Sequence, residues 1–338
     1  MRGSFARLLV QTGPLDRVDT AYYGGWGAAA GPAGDLESTI SIPRVILLTG
    51  ATGTVGKALL PQLVETGEPL RALVRDPRGL GRHRVDVRIT LGDLAEMGDP
   101  RIRRQALRGV RTVIHLAAAI RDQPAAKVEE LNGLATARLL RAAEQADVER
   151  FVFFSALGTT EFQRTRFFRA KALAESAVME SPLRTTVFAP SIVYDRDDPW
   201  VRLMRRLALL PALPISGSGN AVFQPIWAHD VARCVIAELG RDANGDGVRY
   251  ELAGPETLTY EQMGEVIARS IGRKRPTVNV PLNVVRLGLQ GVRRVVGDAA
   301  FATWEEAELM EVPMVSARGD ADVRALGVEP RRMEEVLE

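Results

Sequence analysis

After the apolar run Val45-Ile46-Leu47-Leu48 the chain reads Thr49-Gly50-Ala51-Thr52-Gly53-Thr54-Val55-Gly56, followed by Lys57-Ala58-Leu59-Leu60. Glycines at this spacing between a strand and a helix can cradle phosphate. Gly50 permits a tight turn, Gly53 lets the backbone approach a pyrophosphate, and Gly56 lets the helix pack closely on the strand, with the phosphates at the helix N-terminus. Glycines in a row can also form only a turn. A strand before, a helix after and a second strand about 20 residues on favour a dinucleotide site made by Gly50, Thr52, Gly53, Thr54, Val55 and Gly56.

The end of the second strand, Leu70-Arg71-Ala72-Leu73-Val74-Arg75-Asp76, falls where an adenosine ribose would sit. An acid there would hydrogen-bond a free 2′-hydroxyl, whereas an arginine pairs with a 2′-phosphate. Arg75 at the strand end favours NADP(H) over NAD(H); the plainer alternative is a solvated strand-end charge. Gly92-Asp93-Leu94 follows the third strand, placing Asp93 and Leu94 at the adenine. His115-Leu116-Ala117-Ala118 ends the fourth, where Leu116, Ala117 and Ala118 let a cofactor lie close. His115 has the chemistry of a general base, but inside an apolar strand end a structural or cofactor-contacting histidine is the better reading.

These groups need a scaffold, and the pattern supplies one. From Arg44 onward short apolar runs alternate with longer amphipathic segments, which builds an α/β fold, a Rossmann-type doubly wound parallel sheet. Strands are expected over 44–49, 70–75, 85–91, 112–116, 151–155, 185–189 and 248–253, and helices over 56–65, 102–107, 125–145 and 169–180. In the third helix Val128, Leu131, Leu134 and Leu139 read as the face toward the sheet. The sheet domain would span 42–196, completed by 221–253. Residues 197–220 and 254–338 would form a smaller, mostly helical C-terminal lobe for substrate or partner.

The 44 basic residues nearly balance 42 acidic ones, so no global field invites nucleic acid. Cys234, the single cysteine, excludes an internal disulfide and a cysteine-cluster metal site and reads as a buried small hydrophobe. No apolar stretch is long enough to span a membrane, and Leu8-Leu9-Val10 is too short for a signal core, so a cytoplasmic location is expected. Residues 1–41, crowded with Gly, Ala and Pro between Gly24 and Gly34, read as a disordered extension, with a translation start near Val45 as one explanation. Two basic amphipathic segments, 200–210 and 284–296, read as the roof of a substrate cleft. The alternative for them is peripheral contact with an anionic membrane or a protein complex.

The combination TGATGTVG, ALVRD, GDL, HLAA, FVFFSALG, FAPSIVY and FQPIWAHDVA resembles the short-chain dehydrogenase/reductase superfamily in its extended, atypical branch. It is most similar to the group holding the NADPH-binding accessory subunit of respiratory complex I and its bacterial relatives. The resemblance implies that Asn132, Ser155 and Lys171 match a catalytic set, that Lys171 also holds the nicotinamide ribose, and that Pro190 and Ser191 contact the carboxamide. It also implies a tyrosine in Y-x-x-x-K, whose lowered pKa lets it exchange a proton with substrate oxygen. Here that position is Phe167, in Phe167-Phe168-Arg169-Ala170-Lys171, and a benzyl ring carries no exchangeable proton. Tyr194, with Asp195 beside it, is a weighed substitute acid; His229 and Asp230 read as structural, Asp230 as a helix cap. The expectation is an NAD(P)H-dependent oxidoreductase with impaired or altered proton transfer, acting on an unknown small apolar, quinone-like or isoprenoid substrate. The alternative is a non-catalytic NADPH-binding structural, redox-sensing or assembly protein.

Overall fold

The computed structural model describes residues 45–123, 126–241, 247–285 and 304–338; the expectations for residues 1–41 and 286–296 lie outside the described residues. Seven parallel strands form the main sheet in the order β11-β6-β5-β4-β1-β2-β3. They are β1 (Val45–Thr49), β2 (Leu70–Val74), β3 (Arg88–Leu91), β4 (Val110–His115), β5 (Arg150–Phe154), β6 (Arg184–Pro190) and β11 (Val248–Leu252). Alternate residues of each strand face opposite sides, as a pleated strand requires. Ile46, Leu48, Ile114 and Val152 pack with helices α1 (Thr54–Glu65) and α6 (Ala228–Leu239). Leu47, Val113, Phe151 and Phe153 pack on the other side with α2 (Pro100–Leu107), α3 (Ala135–Glu144) and α4 (Arg166–Met179). Burial on both faces explains why the strands read as continuous apolar runs.

A third apolar cluster lies beyond the strands' C-terminal ends. It joins the two-residue strand β7 (Val193–Tyr194), α5 (Pro199–Leu207), β8 (Leu213–Ser216), β9 (Val222–Phe223) and β10 (Ile226–Trp227) to β12 (Leu258–Thr259) and α7 (Tyr260–Arg269). β13 (Thr277–Val280) pairs with β8. The later helices are α8 (Trp304–Leu309), α9 (Ala321–Ala325) and α10 (Met333–Leu337). Residues 304–338 are integral: Leu309, Met314 and Met333 enter the third cluster, whereas Val323, Leu326 and Val328 pack with α1 and α6.

Three sequence expectations are corrected. The strand expected from Val85 begins at Arg88, because Asp76 accepts the Arg78 N–H at 2.9 Å and opens a 3-10 stretch over Pro77–Val85 that leaves Val85 exposed. The long third helix opens with a π turn over Glu130–Leu134, and Ala135 is buried where Leu134 stands in solvent, while Val128, Leu131 and Leu139 are buried as expected. Asp230 does not cap α6, whose N-cap is Trp227. Fully buried, its carboxylate needs donors. It accepts the Arg331 N–H at 2.8 Å and pairs with Arg233, fastening the chain around residue 331 to α6.

Asp198 caps α5, accepting the Val201 N–H at 2.8 Å ahead of Pro199. Asp198→Ala should lower stability by about 1 kcal/mol in urea denaturation and loosen the apolar wall that α5 carries. No helix among the described residues is long and apolar enough to cross a membrane. Among them no His, Cys, Asp and Glu cluster could hold a metal. Burial pushes the Cys234 thiol up to about 12, which makes it inert.

Candidate functional site

The strand order turns back between β1 and β4, and a cleft of about 400 Å³ opens there, at the C-terminal ends of β1, β2, β3 and β4. Gly50, Thr52, Gly53, Arg75, Asp93, Leu94, Leu116, Ala117 and Ala118 line it. The glycines divide the work. Gly50 has φ +74°, and a Cβ there would stand 2.6 Å from the Ala117 backbone nitrogen. A Cβ on Gly56 would stand 2.2 Å from the Gly50 carbonyl oxygen, so helix and loop touch backbone to backbone. Gly53 is the N-cap of α1, with no side-chain cap and no acid in the first turn. The first N–H groups of α1 are therefore left to an anion, and Gly53 adds no side chain to the cleft. The residues fit a dinucleotide pyrophosphate. Thr54 lines the adjoining cavity instead, and Val55 and Gly56 lie beneath the loop, packing rather than lining.

Arg75 and Asp93 face each other across the cleft at 3.8 Å, and Arg75 is largely exposed. Asp76 turns away to pair with Arg78, whose guanidinium and backbone N–H hold its carboxyl below the usual range. Thus the cation, not the neighbouring acid, borders the cleft.

His115 forms the floor rather than a reactive group. It is fully buried; Nδ1 meets the Thr49 hydroxyl at 2.7 Å and Nε2 the Thr136 hydroxyl at 2.9 Å. Burial, with the Lys171 ammonium adding to it, holds its pKa down to about 3, so the ring is neutral at pH 7. Thr49 also accepts the Ala117 N–H at 3.4 Å, which ties His115 to the cleft lining.

The residues matched to the superfamily's catalytic set are brought near one another, but none lines the cleft or the cavity. Asn132 in the π turn donates to the carbonyls of Ala119 at 2.7 Å and Val128 at 2.8 Å and accepts the Ala119 N–H at 3.1 Å. It thereby shapes the loop after β4. Lys171 is buried; Nζ donates to the Phe154 carbonyl at 2.6 Å and lies 4.8 Å from the Phe153 ring centre. Burial lowers its pKa to about 7, against the opposing pull of Glu175. Ser155 donates to Glu175, which holds Arg249 Nε at 2.6 Å. Phe167 packs edge-to-face on Phe168 with ring centres 5.4 Å apart. Pro190 ends β6 in the core, and its carbonyl accepts the Leu157 N–H. Ser191 donates to the Met314 carbonyl at 2.7 Å and accepts the Gln224 N–H at 3.0 Å, so its hydroxyl closes the fold rather than the cleft. Tyr194 is wholly buried with its hydroxyl unpartnered, and burial raises its pKa, both unfavourable to service as an acid.

Beside the cleft lies a second cavity of about 690 Å³ with mostly apolar walls, including Ile192, Trp200, Leu203, Met204 and Leu207. Of the two basic segments, α5 supplies part of this wall, and Val284 and Val285 another part. The two spaces share Ile120 and Glu306. Sequence reading missed Ile120, Arg121 and Gln123 after β4, and it missed Glu306. The first three follow directly on the Ala117-Ala118 signal and could have been found by extending it. Glu306 carries no local signal.

Residues 50–241 match the model of a family described as NAD(P)H-binding. The mitochondrial NADH dehydrogenase [ubiquinone] 1 alpha subcomplex subunit 9 of Arabidopsis thaliana is 28% identical over 251 residues, 72% of this chain and 61% of that protein. The (4-alkanoyl-5-oxo-2,5-dihydrofuran-3-yl)methyl phosphate reductase of Streptomyces griseus is 28% identical over 250 residues, 74% of this chain and 79% of the relative. A nucleoside-diphosphate-sugar epimerase from Staphylococcus aureus superposes with a TM-score of 0.68 over 86% of this chain and 99% of its own, at 18% identity, a likeness of fold. The chain spans only about three fifths of the length of the first curated relatives, 61% and 63%.

Proposed function

Because this chain belongs to the NAD(P)H-binding family, whose model covers residues 50–241, we propose that it is a nicotinamide-dependent reductase of a small apolar, quinone-like substrate. The observation that carries this reading is the apolar cavity adjoining the dinucleotide cleft at Ile120 and Glu306. A cavity of about 690 Å³ takes a ring with a short hydrocarbon tail and gives it few polar contacts. On this reading the sheet, residues 42–196 with 221–253, holds the cofactor, and residues 197–220 and 254–338 supply the substrate walls. Following NAD(P)H absorbance with a panel of quinones and carbonyls tests it: oxidation of the cofactor is expected with an apolar acceptor, and none with any acceptor would overturn it.

NADP(H) is the preferred cofactor in this proposal, with Arg75 on the 2′-phosphate while Asp76 is occupied by Arg78. Arg75→Glu is expected to weaken NADPH binding roughly 10- to 100-fold by calorimetry and to change NADH binding far less. Equal losses for both cofactors would remove Arg75 from the phosphate.

A second reading, a non-catalytic NADPH-binding protein that works in an assembly or as a redox sensor, is favoured by one observation. Asn132, Ser155 and Lys171 all spend their polar atoms on their own fold. Such a protein would gain stability from bound NADPH by mass action and oxidise none of it. Peripheral attachment to a membrane or a larger complex is compatible with either reading.

A further inference from the structure

Phe167 leaves a reductase of this kind without the usual proton donor, and the nearby alternatives are out of position. Lys171, Ser155 and Tyr194 line neither the cleft nor the cavity, and Asp198 lines the cavity alone. Among the described residues Ile120 and Glu306 are common to cleft and cavity, and of these two Glu306 is the one that can carry a proton.

Its support is also specific. Ala307, Leu309 and Met310 continue the cavity wall from Glu306 along and just past α8. Side chains two residues apart on a helix point to different sides. Accordingly Glu308 reaches Arg164, just ahead of α4 and Phe167, at 3.9 Å. Glu311 accepts the Ser218 N–H at 3.0 Å, and the Met314 N–H donates to the Val222 carbonyl at 2.9 Å. The wall bearing Glu306 is thus tied to the start of α4 on one side and to β9 on the other.

We propose that Glu306 is the general acid of this site, supplying the proton that Phe167 cannot; the proposal rests on the reductase reading. Bound NAD(P)H would supply the hydride. In a simple carbonyl the hydride adds to carbon, the π pair moves to oxygen and Glu306 gives its proton there, leaving an alcohol. In a quinone the hydride is taken up at one carbonyl oxygen, an electron pair passes through the conjugated ring to the other, and Glu306 protonates that oxygen to give the hydroquinone. The Glu306 carboxylate recovers a proton from solvent. The same carboxylate accepts the hydroxyl of a bound phenol.

Two measurements test this. Without cofactor, quenching of tryptophan emission, to which the cavity residue Trp200 contributes, reads binding of 4-nonylphenol and of its methyl ether. The wild type should prefer the phenol several-fold, and Glu306→Leu should erase the preference while still binding the ether, which shows the cavity intact. With saturating NADPH and a decyl-substituted benzoquinone, Glu306→Gln should lose roughly 100-fold in kcat and the alkaline limb of the pH profile. A Leu variant that keeps the phenol preference, or a Gln variant as fast as an active wild type, overturns the role of Glu306 alone. A wild type that binds NADPH yet reduces no acceptor overturns the reductase reading and this assignment with it.

Discussion

Gly56→Val should cost at least about 100-fold in dinucleotide affinity and about 3 kcal/mol or more of stability, because no side chain can yield to make room. A Cβ at this position meets the Gly50 carbonyl oxygen at 2.2 Å and the Ala51 Cα and carbonyl carbon at 2.7 Å, all backbone. Helix α1 would have to lift from β1, carrying the N–H groups of its first turn away from the cleft. Gly53→Ala is the informative contrast. Its Cβ would find only the Gly50 oxygen, at 3.4 Å, an ordinary contact, and its φ of −77° suits alanine. That variant should fold nearly as well as the wild type and still bind dinucleotide more weakly, since the methyl enters the space the phosphates need. Calorimetry with NADPH and urea melts on both variants separate the packing glycine from the binding one. Equal affinity in Gly56→Val and wild type would refute the assignment of the loop.

The second large effect is acid sensitivity set by His115. Its pKa is near 3 in the fold and about 6.5 in an unfolded chain, so between those values the unfolded state binds the extra proton. Stability therefore falls as pH drops from 6.5 toward 3 and is flat with respect to this group above 6.5. At about 1.36 kcal/mol per pH unit, roughly 2–3 kcal/mol should disappear between pH 6.5 and 4.5. Lys171 adds a separate window. With its pKa lowered to about 7 from 10.5, it costs progressively more stability as pH falls from 10.5 to 7 and nothing further below. Denaturant melts of wild type and His115→Leu across pH 4.5–6.5 check the first window; the variant should be less stable at pH 7 for want of the Thr49 and Thr136 bonds, yet show a flatter slope. Parallel slopes would mean that another group dominates.

The sheet was readable because its rules are local. Continuous apolar runs buried on both faces, the three glycines and the arginine closing β2 each leave a mark within a few residues. What stayed hidden depends on distant partners. The π turn at Glu130–Leu134 accompanies Asn132 bonding back to Ala119, thirteen positions earlier, and nothing in the helical pattern announces it. Ser155 matched a catalytic motif, yet its hydroxyl is claimed by Glu175, itself oriented by Arg249 on the far strand. Likewise the 3-10 stretch after Asp76 was signalled by Pro77, Gly79 and Gly81, and the apolar Val85-Asp86-Val87 masked that signal. The apolar cavity draws its walls from Thr54 to Met310, a separation no sequence window spans.

The margins of the sheet carry one more consequence. An outermost strand offers a row of amide groups on which a neighbouring copy can grow. Along β11 that row is interrupted: Asp322 accepts the Glu251 N–H at 2.8 Å, and Ser316 grips the Glu251 carboxylate at 2.6 Å. The opposite margin, β3, has four residues and sets the exposed charge of Arg88 at its start. Both borders are thus blunted against strand-to-strand polymerisation, one by a docked segment and the other by brevity and charge.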